Sequence, residues 1–196
     1  MAIEDRRERQ RGARRRLIIT TARKLAEAEG WDAVTTRRLS TEIEYSQPVL
    51  YKHFTGMEQI AEAVAIDGFG ELAEVIRAAR SSAGAASDAL TRIAHAYLDF
   101  ARDNPAVYDA MFTRATTLRF AAQDTPPQLT AAFAELHQAV GLVADEQDAD
   151  ALTEVYWAAL HGLATLSRTG RLRPGYDSER LQLVVKQFTS RRETMR

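Results

Sequence analysis

The chain has 196 residues and a mass of 21.9 kDa, which suits one domain or one small and one medium domain. Hydrophobic residues make up 45% of it and charged residues 27%, which excludes disordered, collagen-like and low-complexity chains. Cysteine is absent, which excludes disulfides and thiolate sites, and no apolar run reaches the roughly 18 residues of a membrane span. We therefore expect a cytoplasmic protein without a membrane segment.

The net charge of −1 conceals an asymmetry along the chain. Residues 1–56 carry 12 basic and 8 acidic side chains, so the remainder is acidic. The basic excess lies in residues 1–16, which contain seven arginines and three acids. Such an asymmetry indicates a polyanionic partner, although a solvated helix start would give the same composition.

Apolar residues recur at helical spacing in the first part of the chain, and no alternating pattern predicts a strand. Gly30 is a typical helix stop, Thr35 or Thr36 is a typical N-cap, and Thr55 opens a capping-box spacing. The predicted helices are one ending at Gly30, two short ones over 36–43 and 46–54, and a longer one from Thr55.

The second part of the chain continues the helical pattern after a small, polar linker over 81–87. Proline, aspartate and glycine mark the ends of its helices. The predicted boundaries are a helix ending near Asn104, a short one from Pro105, one opened by Thr125–Gln128, one from Asp148 to Gly170, and one capped by Asp177. About nine helices in total predict an all-α fold.

Residues 15–55 predict a helix-turn-helix unit, in which two short helices pack under a longer one and the second short helix enters a DNA major groove. Leu39, Leu50 and Phe54 give the short helices an inward side. Polar side chains on the outward side are suited to base edges and phosphates. The candidate DNA contacts are Arg14, Arg15, Thr35, Thr36, Arg37, Ser46, Gln47, Pro48, Val49, Tyr51, Lys52 and His53.

Three segments of this unit resemble the TetR family of transcriptional regulators. Residues 18–31 resemble the family's first helix, 35–40 its second, and 46–54 its recognition helix with the Leu-Tyr-x-x-Phe signature. The resemblance covers about 45 residues without a gap. It implies a homodimer that binds a palindromic operator and releases it when a small ligand binds the C-terminal domain.

Two residues depart from the family pattern. Glu44 stands in the turn where the family often has glycine, and a non-glycine residue at positive φ costs about 1 kcal/mol. Met57 stands where the family commonly has lysine beside a phosphate, so one phosphate contact is absent at that position. The arginine-rich start of the chain offers compensating charge.

The C-terminal part resembles the ligand domain of one TetR subgroup through residues 96–112 and through the Trp-x-x-x-His-Gly pattern at 157–162. An apolar pocket between helices is what such a domain needs. Aromatic side chains at helical spacing are also typical of plain core packing. The candidate ligand contacts are Tyr97, Phe100, Met111, Phe112, Phe133, His137, Trp157 and His161.

A dimer interface is predicted on the last two long helices, about 149–169 and 178–192, because both carry apolar stripes. The family likeness implies a four-helix arrangement with the dimer mate. The candidate interface residues are Leu152, Val155, Tyr156, Ala159, Leu163, Leu181, Val184, Val185 and Phe188.

Enzyme and metal chemistry are not indicated. No Gly-x-Ser-x-Gly elbow or glycine-rich phosphate loop is present, and His95, His137 and His161 lack metal-ligand spacing. We expect no cofactor, no metal and no catalytic residue.

The prediction is an all-α regulator with a helix-turn-helix domain over 1–55 and a ligand-binding and dimerisation domain over 56–196. It is expected to act as a repressor that a small, largely apolar or aromatic effector releases from its operator. The alternative is a helical ligand-binding or partner-binding protein whose degenerate helix-turn-helix has no specific DNA binding.

Overall fold

The structure is a computed structural model that describes residues 2–114, 118–120, 122–144 and 148–189. Within these ranges the chain forms nine α-helices and no strand, which confirms the predicted fold class. Helices α1 to α9 are Ala2–Glu29, Thr36–Glu42, Gln47–Tyr51, Met57–Ser81, Ala86–Asp103, Pro105–Asp109, Pro127–Gly141, Ala149–Arg168 and Asp177–Thr189. A 3₁₀ turn follows α1 at Trp31–Ala33, and a π-helical turn follows α6 at Ala110–Arg114. Across the described helices, none combines the length and hydropathy needed to cross a membrane.

Several helix ends use the predicted signals. Gly30 stops α1 with a φ of 83°, a left-handed conformation that a side chain disfavours. The Thr35 hydroxyl accepts the Arg38 N–H at 3.1 Å and so caps α2. Asp148 caps α8, because its carboxylate accepts two backbone N–H groups of the first turn.

Three helix starts differ from the prediction. Helix α4 begins at Met57, and the Gln59 side chain accepts the Thr55 N–H at 2.9 Å. Helix α7 begins at Pro127, and the Thr125 hydroxyl accepts the Ala122 N–H instead of capping the helix. Helix α9 begins at Asp177, and the part of its predicted span beyond residue 189 lies outside the described residues.

The chain divides into two compact units. Unit 1 contains the residues up to Gly68 and the segment Asn104–Arg119. Its core combines Ile18 of α1 with Leu39 and Leu50 of the two short helices, all of them buried. The split between residues 55 and 56 stays a prediction about domains.

Polar contacts from α1 and the turn after it fasten segment 104–107 within unit 1. The Glu27 carboxylate accepts the backbone N–H groups of Ala106 and Val107, each at 3.0 Å. The Trp31 indole N–H donates to the Ala106 carbonyl at 2.8 Å. The Glu27 carboxylate therefore satisfies two N–H groups that a helix leaves unpaired at its start, and the indole adds a second donor to a carbonyl that the Ala110 N–H also reaches.

Gly68 allows α4 to lie close to this segment. A Cβ at position 68 would lie 2.4 Å from Val107 Cγ1 and 2.9 Å from Met111 Sδ. Only a residue without a side chain fits at this crossing.

Unit 2 contains residues 69–103 and those from Phe120 onward. Helix α5 packs against α7, α8 and α9. Glu135 of α7 is largely buried and bonds to Arg77 and Arg80 of α4, each at 2.8 Å. The Tyr156 hydroxyl donates to the Leu90 carbonyl at 2.6 Å. The Glu135 contacts are partly buried, whereas the Tyr156 bond lies fully inside the core of unit 2.

Candidate DNA-binding face and apolar cavity

Helix α3 has one buried and one exposed side. Leu50 and the following Phe54 are buried and attach the helix to unit 1. Gln47, Lys52 and Tyr51 are exposed, and 53% of the Tyr51 surface is accessible. Ser46 and Pro48 are also exposed, whereas Val49 and His53 are half-buried. The short helix therefore presents an amide, a phenol and an ammonium group on a rigid support.

The turn before α3 keeps its tight form despite the missing glycine. Glu44 has a φ of 56°, and it alone among the described non-glycine residues has a positive φ. The Tyr45 N–H donates to the Ser40 carbonyl at 3.0 Å and the Glu44 N–H to the Thr41 carbonyl at 3.4 Å. This pair of bonds is the Schellman pattern of a helix end. The departure at Glu44 therefore strains the turn without altering its shape.

The two arginines at the start of α2 differ in their surroundings: Arg38 is paired with acidic side chains, and Arg37 is exposed. Arg38 is engaged by Glu29 at 3.1 Å and by Glu42 at 3.0 Å. Arg37 and Thr35 are exposed, and Thr36 is half-buried. Because the Thr35 hydroxyl accepts the Arg38 N–H, its remaining donor is the part available to a ligand.

Arg15 joins α1 to the end of α3. Its guanidinium lies 4.2 Å from the centre of the Phe54 ring and donates to the His53 carbonyl at 3.2 Å. Burial lowers the pKa of His53, and the charges of Arg11, Arg14 and Arg15 lower it further. Positive charge therefore surrounds the C-terminal end of α3.

Unit 2 contains a small apolar cavity of about 20 Å³, which is close to the space of one water molecule. The Trp157 indole N–H donates to the Tyr97 hydroxyl at 3.2 Å at its edge. Phe120 is 40% exposed and lies against Phe69 and Trp157, with ring centres 5.4 and 5.2 Å apart. The lining residues are Phe69, Leu72, Ile76, Tyr97, Phe120, Leu129, Ala132, Phe133, Leu136 and Trp157.

Three of the eight candidate ligand residues, Tyr97, Phe133 and Trp157, line this cavity. Sequence reasoning missed the contribution of α4, although Phe69, Leu72 and Ile76 share one face of that helix at spacings of three and four. Phe120 had no signal, because it lies outside regular structure.

The other five candidates do not line this cavity, and their assignment to a ligand site stays a prediction. Met111 is buried beside Gly68 in unit 1. In the same unit the ring centres of Phe112 and Tyr108 are 4.7 Å apart. Phe100 is buried in α5 but does not line the cavity. His137 pairs with Asp150 at 3.0 Å. His161 is half-buried, and burial, with the charge of Arg168, lowers its pKa.

The candidate interface residues of α8 and α9 fall into two groups. Tyr156, Leu181 and Val185 are buried within the protomer, so their assignment to an interface is corrected to the core of unit 2. Val155 is 59% exposed, and Leu152, Ala159, Leu163, Val184 and Phe188 are half-buried. Leu166 and Leu183, which the sequence pattern did not single out, are 40% and 62% exposed.

Neither unit assembles a metal site from the residues described. No group of three or more histidine and carboxylate side chains comes together there in a geometry that could hold an ion.

Two family models match the chain. The model described as bacterial regulatory proteins of the tetR family matches residues 18–64, and the one described as tetracyclin repressor-like C-terminal domain matches residues 90–186. An uncharacterised HTH-type transcriptional regulator of Mycobacterium tuberculosis is 32% identical over 162 residues, which span 80% of this chain and 71% of that protein.

Solved structures show the same fold. A protein of unknown function from Rhodococcus sp. RHA1 has a TM-score of 0.71 at 24% identity, and the match covers 89% of this chain and 92% of that one. The regulator FadR of Bacillus subtilis, solved in complex with stearoyl-CoA, has a TM-score of 0.62 at 11% identity, with coverage of 86% and 96%.

The family matches agree with the geometry of α1 to α3 and with the helical unit that follows. TetR-family proteins are transcription factors that bind DNA and small effectors, and they are typically not enzymes. Membership of the Trp-x-x-x-His-Gly subgroup stays a prediction. The chain belongs to the TetR family of DNA-binding transcriptional regulators.

Proposed function

We propose that this protein is a repressor that binds a palindromic operator as a homodimer and leaves it when a small, largely apolar or aromatic effector binds. The observation that carries the DNA-binding part is the two-sided α3. Leu50 and Phe54 hold the helix from inside, while Gln47, Tyr51 and Lys52 project from it. A recognition helix needs this combination of a fixed support and polar outward groups.

The roles of these side chains follow from their chemistry. Gln47 can both donate to and accept from a base edge, which gives sequence preference. Tyr51 and Lys52 donate to phosphates, which fixes the register of the helix on DNA. The remaining proposed contacts are Arg14, Arg15, Thr35, Thr36, Arg37, Ser46, Pro48, Val49 and His53.

The effector part rests on the cavity of unit 2. Five of its ten lining residues are aromatic, and the Tyr97 hydroxyl and Trp157 indole N–H are its polar groups. A volume of about 20 Å³ admits no effector unless a lining side chain moves. Phe120 is the exposed member of the lining and lies outside any helix, so its displacement would break its ring contacts with Phe69 and Trp157 but would require no helix to shift. The acyl-CoA ligand of FadR is consistent with an apolar effector here.

The homodimer part rests on the exposed apolar side chains of α8 and α9, Val155, Leu166 and Leu183. Burying them against a second copy would remove apolar surface from water. Two recognition helices in one dimer would then reach successive major grooves, about 34 Å apart. An effector that favours a dimer with a different spacing would weaken DNA binding by its differential affinity for the two forms.

The test of DNA binding is fluorescence anisotropy on labelled DNA from upstream of the protein's own gene, with random duplex as competitor and a salt series. We expect specific binding about a thousandfold tighter than binding to random duplex. If no genomic fragment recovered by selection binds better than random DNA, the alternative of a degenerate helix-turn-helix is correct and the repressor proposal is wrong.

Two variants separate the contacts in the same assay. Tyr51→Phe should weaken operator binding by about 1 kcal/mol, roughly fivefold, because one phosphate hydrogen bond is lost. Gln47→Ala should change the ranking of operator variants. An equal loss on all sequences would assign Gln47 to the DNA backbone.

The test of the effector uses the bound operator. Stearoyl-CoA and a set of planar aromatic compounds are added, and release of labelled DNA is recorded. Phe120→Ala enlarges the cavity, and we expect it to lower the concentration of an active compound needed for half release. If a compound releases the DNA equally from wild type and from a variant with Trp157→Ala, the cavity is not the effector site.

A further inference from the structure

Helix α1 is longer than the packing of unit 1 requires. It begins at Ala2, yet the first buried side chain among its described residues is Ile18. Residues 4–17 are exposed, apart from the half-buried Gly12. The family model for the DNA-binding domain also begins only at residue 18. About four turns of helix therefore lie outside both the core and the family match.

The arginines of this extension are not distributed evenly around it. Arg7, Arg11 and Arg14 are spaced by four and three residues, so they share one face of the helix. The same spacing of four leads from Arg14 to Ile18 and Ala22, which are completely buried. The arginine stripe is therefore the continuation of the core-facing stripe, past the point where the core ends.

This face is also the side on which the recognition helix ends. Arg15, one position away from the stripe, donates to the His53 carbonyl and covers the Phe54 ring. The charges of Arg11 and Arg14 reach His53 as well, where they add to the effect of burial on its pKa. Two members of the stripe, Arg11 and Arg14, thus lie within electrostatic reach of the end of α3.

The opposite face of the extension has a different character. Arg9 and Arg16 lie there together with Asp5 and Gly12, and Glu8 lies between the two faces. Glu4 stands near the stripe in the first turn, where a helix start favours an acid. Two acids, Asp5 and the neighbouring Glu8, line the same surface as Arg9 and Arg16 and offset their charge, whereas the stripe carries three arginines against Glu4. The stripe therefore has the larger net positive charge.

We propose that Arg7, Arg11 and Arg14 form a second DNA contact that binds phosphates flanking the half-site under α3. From Arg7 to Arg14 the helix rises about 10 Å, which corresponds to about three phosphates along one strand. The proposal rests on the proposed function, because it extends the same DNA complex. It implies a footprint longer than the base contacts of the recognition helices.

The test compares two double variants with the same change in charge. Arg7→Gln with Arg11→Gln removes two cations of the stripe, and Arg9→Gln with Arg16→Gln removes two from the opposite face. Glutamine has nearly the helix propensity of arginine, so α1 should persist, which circular dichroism checks. Each protein is titrated over a salt series on the selected operator, once trimmed to the base-contact region and once extended by ten base pairs on each side.

On the extended duplex, the affinity of the stripe variant should depend less steeply on salt than that of wild type. The magnitude of the slope of log affinity against log salt should fall by about 1.8 per half-site. The control variant should keep a slope near that of wild type. On the trimmed duplex the three proteins should behave alike. Equal slopes for wild type on both duplexes, or equal losses in the two variants, would overturn the flanking contact. Absence of any specific operator for wild type would instead overturn the proposed function.

Discussion

Glu44 is the residue at which the helix-turn-helix adopts a backbone conformation that its side chain opposes. With a φ of 56° it completes the turn between α2 and α3, a position at which glycine has no steric penalty. We expect Glu44→Gly to raise the free energy of unfolding by up to about 1 kcal/mol, measured by urea denaturation.

The control for this change is Glu44→Ala, which removes the same charge but keeps a Cβ. If alanine stabilises the protein as much as glycine does, the gain comes from charge, and the strain at this residue is not its source.

Tyr156 shows how a residue predicted at an interface acts instead inside one chain. Its hydroxyl is buried and donates to the Leu90 carbonyl at 2.6 Å, and burial raises its pKa. Tyr156→Phe leaves that carbonyl without this donor, and we expect a loss of about 1–3 kcal/mol in unfolding free energy with no change in oligomeric state. Calorimetry and light scattering measure the two quantities.

Tyr176 offers the matched control, since it is exposed and lies beside Arg173. Tyr176→Phe should change stability little. If the Tyr156→Phe protein is monomeric while wild type is dimeric, Tyr156 contributes to the dimer interface and the prediction is wrong.

The sequence could predict single residues where the cause is local. Gly30, Thr35 and Asp148 end or cap helices as expected, because a cap depends on neighbours within four positions. Burial is different: the apolar stripes of α8 and α9 indicate that residues are covered, but not which chain covers them. Tyr156, Leu181 and Val185 were assigned to the interface for this reason.

At the scale of elements, Glu135 connects α7 to α4. Burial raises the pKa of the Glu135 carboxyl, but hydrogen bonds from Arg77 and Arg80 outweigh it, so the net shift is downward from 4.5. A lowered pKa in the folded state means that the bonds stabilise the protein above the unfolded pKa, and that this contribution disappears as pH falls through the folded one.

We therefore expect Glu135→Gln to be less stable than wild type at pH 7, with the difference shrinking below about pH 4.5. Urea unfolding at pH 7, 5 and 3.5 measures it. Asp88→Asn is the control, because Asp88 pairs with Arg92 on the surface of one helix. A Glu135→Gln deficit that is constant over this pH range would show that the carboxylate charge is not the cause.

Helix positions could be predicted better than the partners of each helix. Phe69, Leu72 and Ile76 share one face of α4, but their spacing alone does not indicate that Tyr97 and Trp157 lie opposite them. The cavity draws on segments far apart in the chain, and such contacts leave no local pattern. For the same reason the sequence did not indicate that Met111 and Phe112 lie away from this cavity, in a segment that packs in unit 1.

At the scale of the whole molecule, the two units do not follow the simple order of the chain. Segment 104–119 belongs to unit 1 although it follows α5 of unit 2. Contacts such as Trp31 with Ala106 join residues 75 positions apart. A domain boundary predicted from a sequence pattern is a single point in the chain. It therefore could not show that a later segment, 104–119, packs with the first unit.

The proposed dimer gives a prediction at this scale. Leu183 is 62% exposed on α9, and Leu183→Glu would place a charge in the proposed interface. We expect a monomer by light scattering and a large loss of operator affinity, because two linked half-site contacts become independent.

Leu142 is the matched control, with 55% of its surface exposed outside α8 and α9. Leu142→Glu should stay dimeric and bind the operator. If both variants dimerise like wild type, another surface forms the dimer.

The chain contains two tryptophans, and each belongs to a different unit. Trp31 is hydrogen-bonded in unit 1, and Trp157 lies at the cavity of unit 2. Intrinsic fluorescence therefore carries one natural probe for each half of the regulator. With Trp31→Phe the remaining emission reports the cavity, and with Trp157→Phe it reports the neighbourhood of segment 104–107. The arrival of an effector and the response of the DNA-binding unit can thus be timed separately without attaching any dye.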